Sequence, residues 1–170
     1  MTNITTNISL CNFHSALTAP FGGADTHDRE GNPIPSTSGK SWTFTLHNSA
    51  RNTHLTFRSR RPKGWTIESP VLIDLMVGTD NTSDFAFIGS VSNGVFKTSP
   101  KTKVTGDQLA TASRTMAWLM TLTSQPSALE IKAAAKCCRC AKKLTNPDSI
   151  DDGLGPICRS KMNESKVSKG

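Results

Sequence analysis

Apolar and polar residues alternate with a period of two in two neighbouring stretches of the chain. Every second residue is apolar from Trp42 to Leu46, and the alternation returns through the leucine and phenylalanine of the segment 53–58. This period is typical of a strand with one buried face. Residues 48–52 between the stretches are mainly polar turn formers, so the two strands are predicted to form a hairpin.

Three further stretches extend this pattern. Val71–Val77 is a more continuous apolar run with β-branched members, typical of a central strand buried on both faces. Phe85–Val91 reads as the next strand, and Asn93-Gly94 is a strong turn signal before Val95–Lys97. The sequence therefore predicts an antiparallel meander of about five strands.

Helical periodicity begins only after Gly106, where Asp107 is suited to cap a helix that ends before Pro126. The predicted inner face comprises Leu109, Ala112, Met116, Leu119, Met120 and Thr123. One amphipathic helix packed on the meander gives an α+β domain over residues 41–126.

Both ends of the chain differ from this pattern. Residues 1–40 are rich in Thr, Asn, Ser, Gly and Pro and are expected to form a flexible polar arm. Residues 161–170 are polar and basic, and we expect them to be disordered. Five large apolar residues of the arm are nevertheless candidates to dock on the domain: Ile4, Ile8, Leu10, Phe13 and Leu17.

Composition narrows the class of protein. With 170 residues and 35% hydrophobic content, the chain can form one domain and a small satellite. Its 20 Lys and Arg against 13 Asp and Glu give a net charge of +7, which favours an acidic partner such as nucleic acid. The apolar runs are too short for a membrane span, and Met1–Thr6 does not resemble an export signal. We expect a cytoplasmic protein whose cysteines are thiols or metal ligands.

The strongest chemical signal is the cysteine cluster in residues 127–160. Cys137 and Cys140 form a C-x-x-C pair that Cys158 follows, and thiolates so spaced are suited to bind one zinc ion. The segment between them has few large apolar residues, so zinc would supply the free energy that a core cannot. A thioredoxin-like redox pair is the alternative, but it needs a strand before the motif and a helix after it.

The sequence leaves four possibilities for the fourth zinc ligand. A zinc ribbon would place it at position 161, which is Lys161. Four completions remain: the neighbouring Cys138, Cys11 or a histidine of the arm, a histidine of the sheet such as His47 or His54, or water. Cys11 and Cys138 are otherwise small buried apolar residues.

Two basic clusters are candidates for nucleic-acid binding. The first contains no acidic residue, and an aromatic residue beside its cations is suited to stack on a base. It consists of Arg51, Arg58, Arg60, Arg61 and Lys63, with Phe57 and Trp65 beside them. The alternative is a strand edge guarded by its charges. The second surrounds the cysteines, and the alternative is that its cations offset thiolate charge. It consists of Lys132, Lys136, Arg139, Lys142, Lys143, Arg159 and Lys161, of which Arg139, Lys142 and Lys143 are the predicted contacts.

Catalytic signatures are missing from the sequence. It has no nucleophile-elbow, zinc-protease or zinc-deaminase motif, and Gly39-Lys40-Ser41 has isoleucine where a phosphate-binding loop needs its first glycine. We therefore expect a protein that is not an enzyme and has no small-molecule substrate.

The cysteine segment resembles the zinc-binding tail of a family of small bacteriophage and prophage proteins of unknown function. The similarity extends from Cys137 to Cys158, and its most specific part is the Gly-x-Gly-Pro-x-Cys that ends at Cys158. Weaker similarity lies upstream, in residues 43–46, 57–58 and 78–89. The resemblance implies a phage origin, and hence the cytoplasm of a bacterial host, and a metal-bound tail, but no assigned activity.

Two positions depart from the pattern of that family. Its members usually have glycine after the second cysteine, where this chain has Ala141, and often a histidine before the first, which residues 129–136 lack. The expected function is that of a non-enzymatic phage accessory protein that binds nucleic acid through its basic clusters and zinc module. The alternative is a protein-interaction module that binds a host or phage machine, such as a polymerase or a defence complex.

Overall fold

The computed structural model describes residues 7–18 and 27–167 and has an α+β fold around a six-stranded antiparallel sheet. The strands are β1 (Lys40–Asn48), β2 (Thr53–Arg61), β3 (Val71–Met76), β4 (Phe85–Ser92), β5 (Val95–Thr98) and β6 (Leu129–Ala133). Their spatial order is β5-β4-β3-β2-β1-β6, so the first five form the predicted meander. The sixth strand, β6, pairs antiparallel with β1.

The β6 strand lies in the segment that the sequence assigned to the zinc module. Its Leu129 and Ile131 are buried in the main core, which explains why the segment joins the sheet. The sheet thus has one strand more than expected, and it extends beyond the predicted boundary after residue 126.

Both predicted hairpins are present in the sheet. Phe44 of β1 lies opposite Phe57 of β2, with the ring centroids 5.7 Å apart. The turn between β4 and β5 has positive φ angles of 50° at Asn93 and 72° at Gly94. A turn of this kind suits asparagine followed by glycine, so the local sequence determines the hairpin.

The N-terminal arm is partly folded, contrary to the expectation for residues 1–40. Helix α1 (Leu10–Thr18) buries Leu10, Phe13 and Leu17, whose spacing places them on one helical face. The Phe13 ring lies 4.9 Å from that of Phe44. Docking of these three residues, and partial burial of Ile8, is therefore confirmed, whereas Ile4 lies outside the described residues.

The predicted amphipathic helix is α2 (Gly106–Thr121), and its buried face includes Ala112, Met116 and Leu119. Its N-cap is Thr105, while Asp107 lies in the first turn, where a carboxylate interacts favourably with the helix dipole. Together, α1 and α2 cover the apolar face of the sheet. No helix in residues 7–18 or 27–167 is long and apolar enough to span a bilayer.

The remaining elements form a small unit that we call the cysteine module, residues 135–167. It contains β7 (Ala135–Lys136), β8 (Lys143–Leu144), α3 (Pro147–Asp152) and α4 (Pro156–Val167). Among the side chains that the structure describes, its buried apolar cluster consists of Cys137, Leu144, Ile150 and Cys158. The α4 helix includes residues 161–167, so most of the tail expected to be disordered is helical, and only residues 168–170 lie outside the described chain.

Candidate metal centre

A tight turn between β7 and β8 carries the first two cysteines of the cluster. The amide of Cys137 donates to the carbonyl of Lys142 at 2.8 Å, and the amide of Ala141 donates back to the carbonyl of Cys137 at 2.9 Å. These two bonds close the turn and place Cys137 and Cys140 side by side. Cys158 approaches from the first turn of α4, which begins at Pro156.

The sulfur atoms of Cys137, Cys140 and Cys158 all lie within 4.8 Å of one another. Cys137 and Cys158 are buried, while Cys140 is exposed. Three convergent thiols, brought together from a turn and a helix, are close enough to bind one metal ion. The structure therefore brings together the three residues that the sequence predicts as ligands.

The surroundings of the sulfur atoms shift the pKa values of Cys137 and Cys158 in opposite directions. Backbone N–H groups of Gly155, Cys140 and Arg139 donate to the Cys137 sulfur and lower the pKa of this thiol to about 6. A hydrogen bond with the Cys140 sulfur, burial, and a hydrogen bond with Cys137 raise the pKa of Cys158 to about 11. Cys137 is thus mainly a thiolate at neutral pH, whereas a bound cation would displace the proton of Cys158.

No fourth His, Cys, Asp or Glu among the described residues belongs to this cluster. Cys138 is exposed, and its sulfur lies over Gly153, where an added Cβ would be only 3.2 Å away. His47 instead binds Glu130, with 2.9 Å between Nδ1 and Oε2. His54 and Cys11 are also outside the cluster, so the described residues leave the fourth position to water or to another ligand.

Ala141 directly follows the second cysteine and has a φ of 57°, in the left-handed region. A side chain makes this conformation costly by about 1–2 kcal/mol, whereas glycine adopts it freely. This explains why glycine is usual at this position in the family that the segment resembles. In this chain, alanine has to adopt the same conformation.

We expect Ala141→Gly to stabilise the metal-bound module by about 0.5–1 kcal/mol, because relief of φ strain exceeds the added freedom of the unfolded chain. Competition with a chelator should show roughly two- to fivefold tighter metal binding. Ala134→Gly is the matched control, since Ala134 has no positive φ and should gain nothing. Equal effects of the two substitutions would contradict this explanation.

The cysteine module lies on the polar face of the sheet. The Thr45 hydroxyl, fully buried, donates to the carbonyl of Thr145 at 2.7 Å, and Lys143 Nζ donates to Thr43 Oγ1 at 2.8 Å. The Asn81 amide donates to the carbonyl of Lys143 at 2.8 Å. The polar residues that alternate along β1 therefore bind the module instead of facing solvent.

An ion pair attaches the module to the edge strand β6. Lys132 is buried, and its ammonium group binds both carboxylate oxygens of Asp151 at 2.7 Å. Burial alone would lower the pKa of Lys132, but hydrogen bonds with Asp151 and Glu130 raise it overall. The lysine therefore stays charged and holds α3 against the sheet.

Asp74 of β3 engages two arginines of the first basic cluster. Its carboxylate accepts from Arg58 Nη2 at 2.8 Å and from Arg60 Nε at 2.6 Å, and the Asp74 side chain is only 1% exposed. The sequence argument that no carboxylate competes for these cations is therefore wrong. Antiparallel pairing places Asp74 directly opposite Arg58.

Two other members of that cluster are buried. Arg61 is 2% exposed, donates to the carbonyl of Leu17 at 2.7 Å and lies 4.8 Å from the Trp65 ring. Trp65 is itself buried, and its indole donates to Pro70. These residues attach β2 to α1 and are buried, so they are not at the surface that the sequence predicts for nucleic acid. Of the five residues Arg58, Arg60, Arg61, Lys63 and Trp65, Lys63 alone is exposed.

The second basic cluster is more accessible. Arg139 and Lys142 are exposed beside the cysteines, whereas Lys143 is half-buried against the sheet. Lys136, which the sequence places in the same basic cluster, is exposed at the start of the turn that carries Cys137.

Comparison with known proteins identifies one similarity. Residues 132–163 match the model of DUF6011, a family of unknown function. The match covers the three cysteines and most of α4, but not the upstream segments 43–46, 57–58 and 78–89. No curated protein and no solved structure matches the chain.

Proposed function

We propose that this chain is a non-enzymatic phage accessory protein in which a structural zinc centre presents a basic surface to nucleic acid in the cytoplasm of a bacterial host. The observation that carries the proposal is the convergence of the Cys137, Cys140 and Cys158 sulfur atoms beside exposed cations. The resemblance to phage proteins supports the origin, and the net charge of +7 supports the acidic partner.

Zinc is the metal that best suits the cluster. Thiolate ligands favour zinc over hard cations, and tetrahedral zinc with bonds of about 2.3 Å places its sulfur ligands about 3.8 Å apart. The three sulfur atoms lie within 4.8 Å of one another, so small rotations of the side chains suffice. The buried apolar cluster among the described side chains of the module has four residues, so a bound metal would supply stability that this small core lacks.

The charge arrangement around the zinc centre supports binding of a polyanion. Two acidic residues of the module are paired, Asp151 with Lys132 and Asp152 with Arg159. Lys136, Arg139 and Lys142 make no ion pair with any residue in the described part of the chain. The residues proposed to contact nucleic acid are therefore Lys136, Arg139 and Lys142, in place of Arg58, Arg60, Arg61 and Trp65.

We expect the double substitution Arg139→Ala and Lys142→Ala to weaken nucleic-acid binding about equally for unrelated sequences. Each lost phosphate contact should lower the slope of log affinity against log salt by roughly 0.7–0.9. Titration of labelled DNA and RNA across ionic strength measures this. The charge-matched control is Lys97→Ala with Lys101→Ala, two exposed cations of the sheet domain. If both variants keep the slope and the affinity of the original chain, the basic surface is not a nucleic-acid site.

One observation favours the alternative of a protein-interaction module. Ile157, beside Cys158, is 69% exposed, the largest exposed fraction among the large apolar residues found exposed in the described part of the chain. Recovery of a polymerase or defence complex that resists nuclease and is lost in Ile157→Lys would favour this function. The salt series above separates the two, since an apolar interface depends little on ionic strength.

A further inference from the structure

A groove of about 560 Å³ lies between α2 and the end of the β1–β2 hairpin. Its floor is apolar and includes Leu46, Leu55 and Leu129, while Thr111 and Thr115 of α2 place hydroxyl groups along one wall. None of the lining residues belongs to the cysteine module. The volume is within the roughly 300–1,000 Å³ of typical ligand sites.

The wall of this groove contains an aromatic side chain that the core does not use. Trp118 lines the groove and is 44% exposed, whereas Trp65 of the same chain is buried. On α2, the face toward the sheet consists of Ala112, Met116 and Leu119, so Trp118 is not needed to attach the helix. An accessible indole beside an apolar floor provides a flat surface on which another ring can stack.

The charges around the groove indicate which class of ligand it would bind. Arg51 lines the groove and is exposed, and no Asp or Glu is among the lining residues. Arg114 lies on the helical face of Thr111, Thr115 and Trp118 because it follows the three- and four-residue spacing of that face. Neither arginine forms an ion pair with a residue of the ranges 7–18 and 27–167. The groove therefore combines an aromatic surface with uncompensated positive charge.

We propose that this groove binds single-stranded nucleic acid, with one base stacked on Trp118 and a backbone phosphate at Arg51. Stacking on an exposed aromatic residue beside a cation is the usual means of binding single strands, and it tolerates any base. The threonine hydroxyl groups are available to the edges of the base. This site shares its ligand class with the proposed function but none of its residues, so each can fail alone.

The test measures tryptophan fluorescence while an oligothymidine of about 10 nucleotides is added, a length within the roughly 4–16 nucleotides of known single-strand sites. Binding should quench the emission of Trp118. Trp118→Ala should weaken affinity roughly fivefold to 150-fold and leave the salt slope unchanged, since no phosphate contact is lost. Arg51→Ala should lower the slope by roughly 0.7. Trp118→Phe keeps an aromatic ring and should restore part of the affinity.

Three outcomes would overturn this proposal. Unchanged affinity in Trp118→Ala, with binding lost in the Arg139 and Lys142 variant, would place nucleic acid on the cysteine module alone. An absence of oligonucleotide binding by the original chain would contradict both sites. Concentration-dependent dimerisation that Trp118→Ala abolishes, without quenching by the oligonucleotide, would show that the groove binds a second copy. Circular dichroism of each variant confirms that the fold is kept.

Discussion

Replacing Cys140 and Cys158 together by serine should reduce bound zinc from one ion per chain to nearly none and unfold the cysteine module. Zinc binding to small domains of this kind contributes about 10–16 kcal/mol to folding at neutral pH, and the buried cluster of the module is too small to replace it. Native mass spectrometry gives the stoichiometry, and hydrogen exchange of residues 135–167 shows the unfolding. Cys11→Ser with Cys138→Ser is the matched control, since neither cysteine belongs to the cluster.

We expect the six-stranded sheet to remain folded when the zinc is lost and the cysteine module unfolds. The face that the module covers is polar, with Thr43, Thr45 and Thr56 among its buried residues, and these can be solvated when the module unfolds. The tryptophans all precede the module, so their near-ultraviolet signal should be retained. Full retention of zinc in the double serine variant, or collapse of the tryptophan signal with it, would contradict this account.

The second large effect is expected at Asp74. Asp74→Ala removes the acceptor of two guanidinium groups, whose side chains in Arg58 and Arg60 are 24% and 36% exposed. Breaking a fully buried pair costs about 3–5 kcal/mol. Because water reaches the arginines, we expect a loss of about 2–3 kcal/mol in the free energy of unfolding. Urea denaturation of the zinc-bound protein measures it.

The control for this prediction is Glu68→Ala, which removes an exposed carboxylate from a loop. Surface substitutions of this kind change stability by about 0.5 kcal/mol or less. If Asp74→Ala is no more destabilising than Glu68→Ala, the buried pairing does not contribute to stability, and the arginines would return as candidates for phosphate contacts.

Local patterns predicted most of the fold because they depend on neighbouring residues. The alternation of apolar and polar residues predicted the strands of the meander. Asn93-Gly94 predicted a turn whose positive φ angles only a few residue types adopt readily. The α1 helix was hidden by the polar composition of the arm, although Leu10, Phe13 and Leu17 already had helical spacing. The β6 strand was missed because its partner, β1, lies far away in the sequence.

The basic residues were harder to assign because strand register determines their surroundings. Arg58 and Arg60 point to the face where Asp74 approaches from the next strand, and Arg61 points to the opposite, buried face. The sequence correctly separates the two faces by alternation, but it cannot show which carboxylate lies opposite. The cysteines were predictable because a short turn fixes Cys137 beside Cys140, whereas the fourth ligand depends on distant packing.

The proposed zinc site is tested most directly by X-ray absorption spectroscopy at the zinc edge of the purified chain. The account predicts three sulfur ligands at about 2.3 Å and one lighter ligand, oxygen or nitrogen, at about 2.0–2.2 Å. A shell of four sulfur atoms would mean that Cys138, Cys11 or another chain completes the site. A shell of oxygen and nitrogen alone would contradict the role of Cys137, Cys140 and Cys158 as ligands.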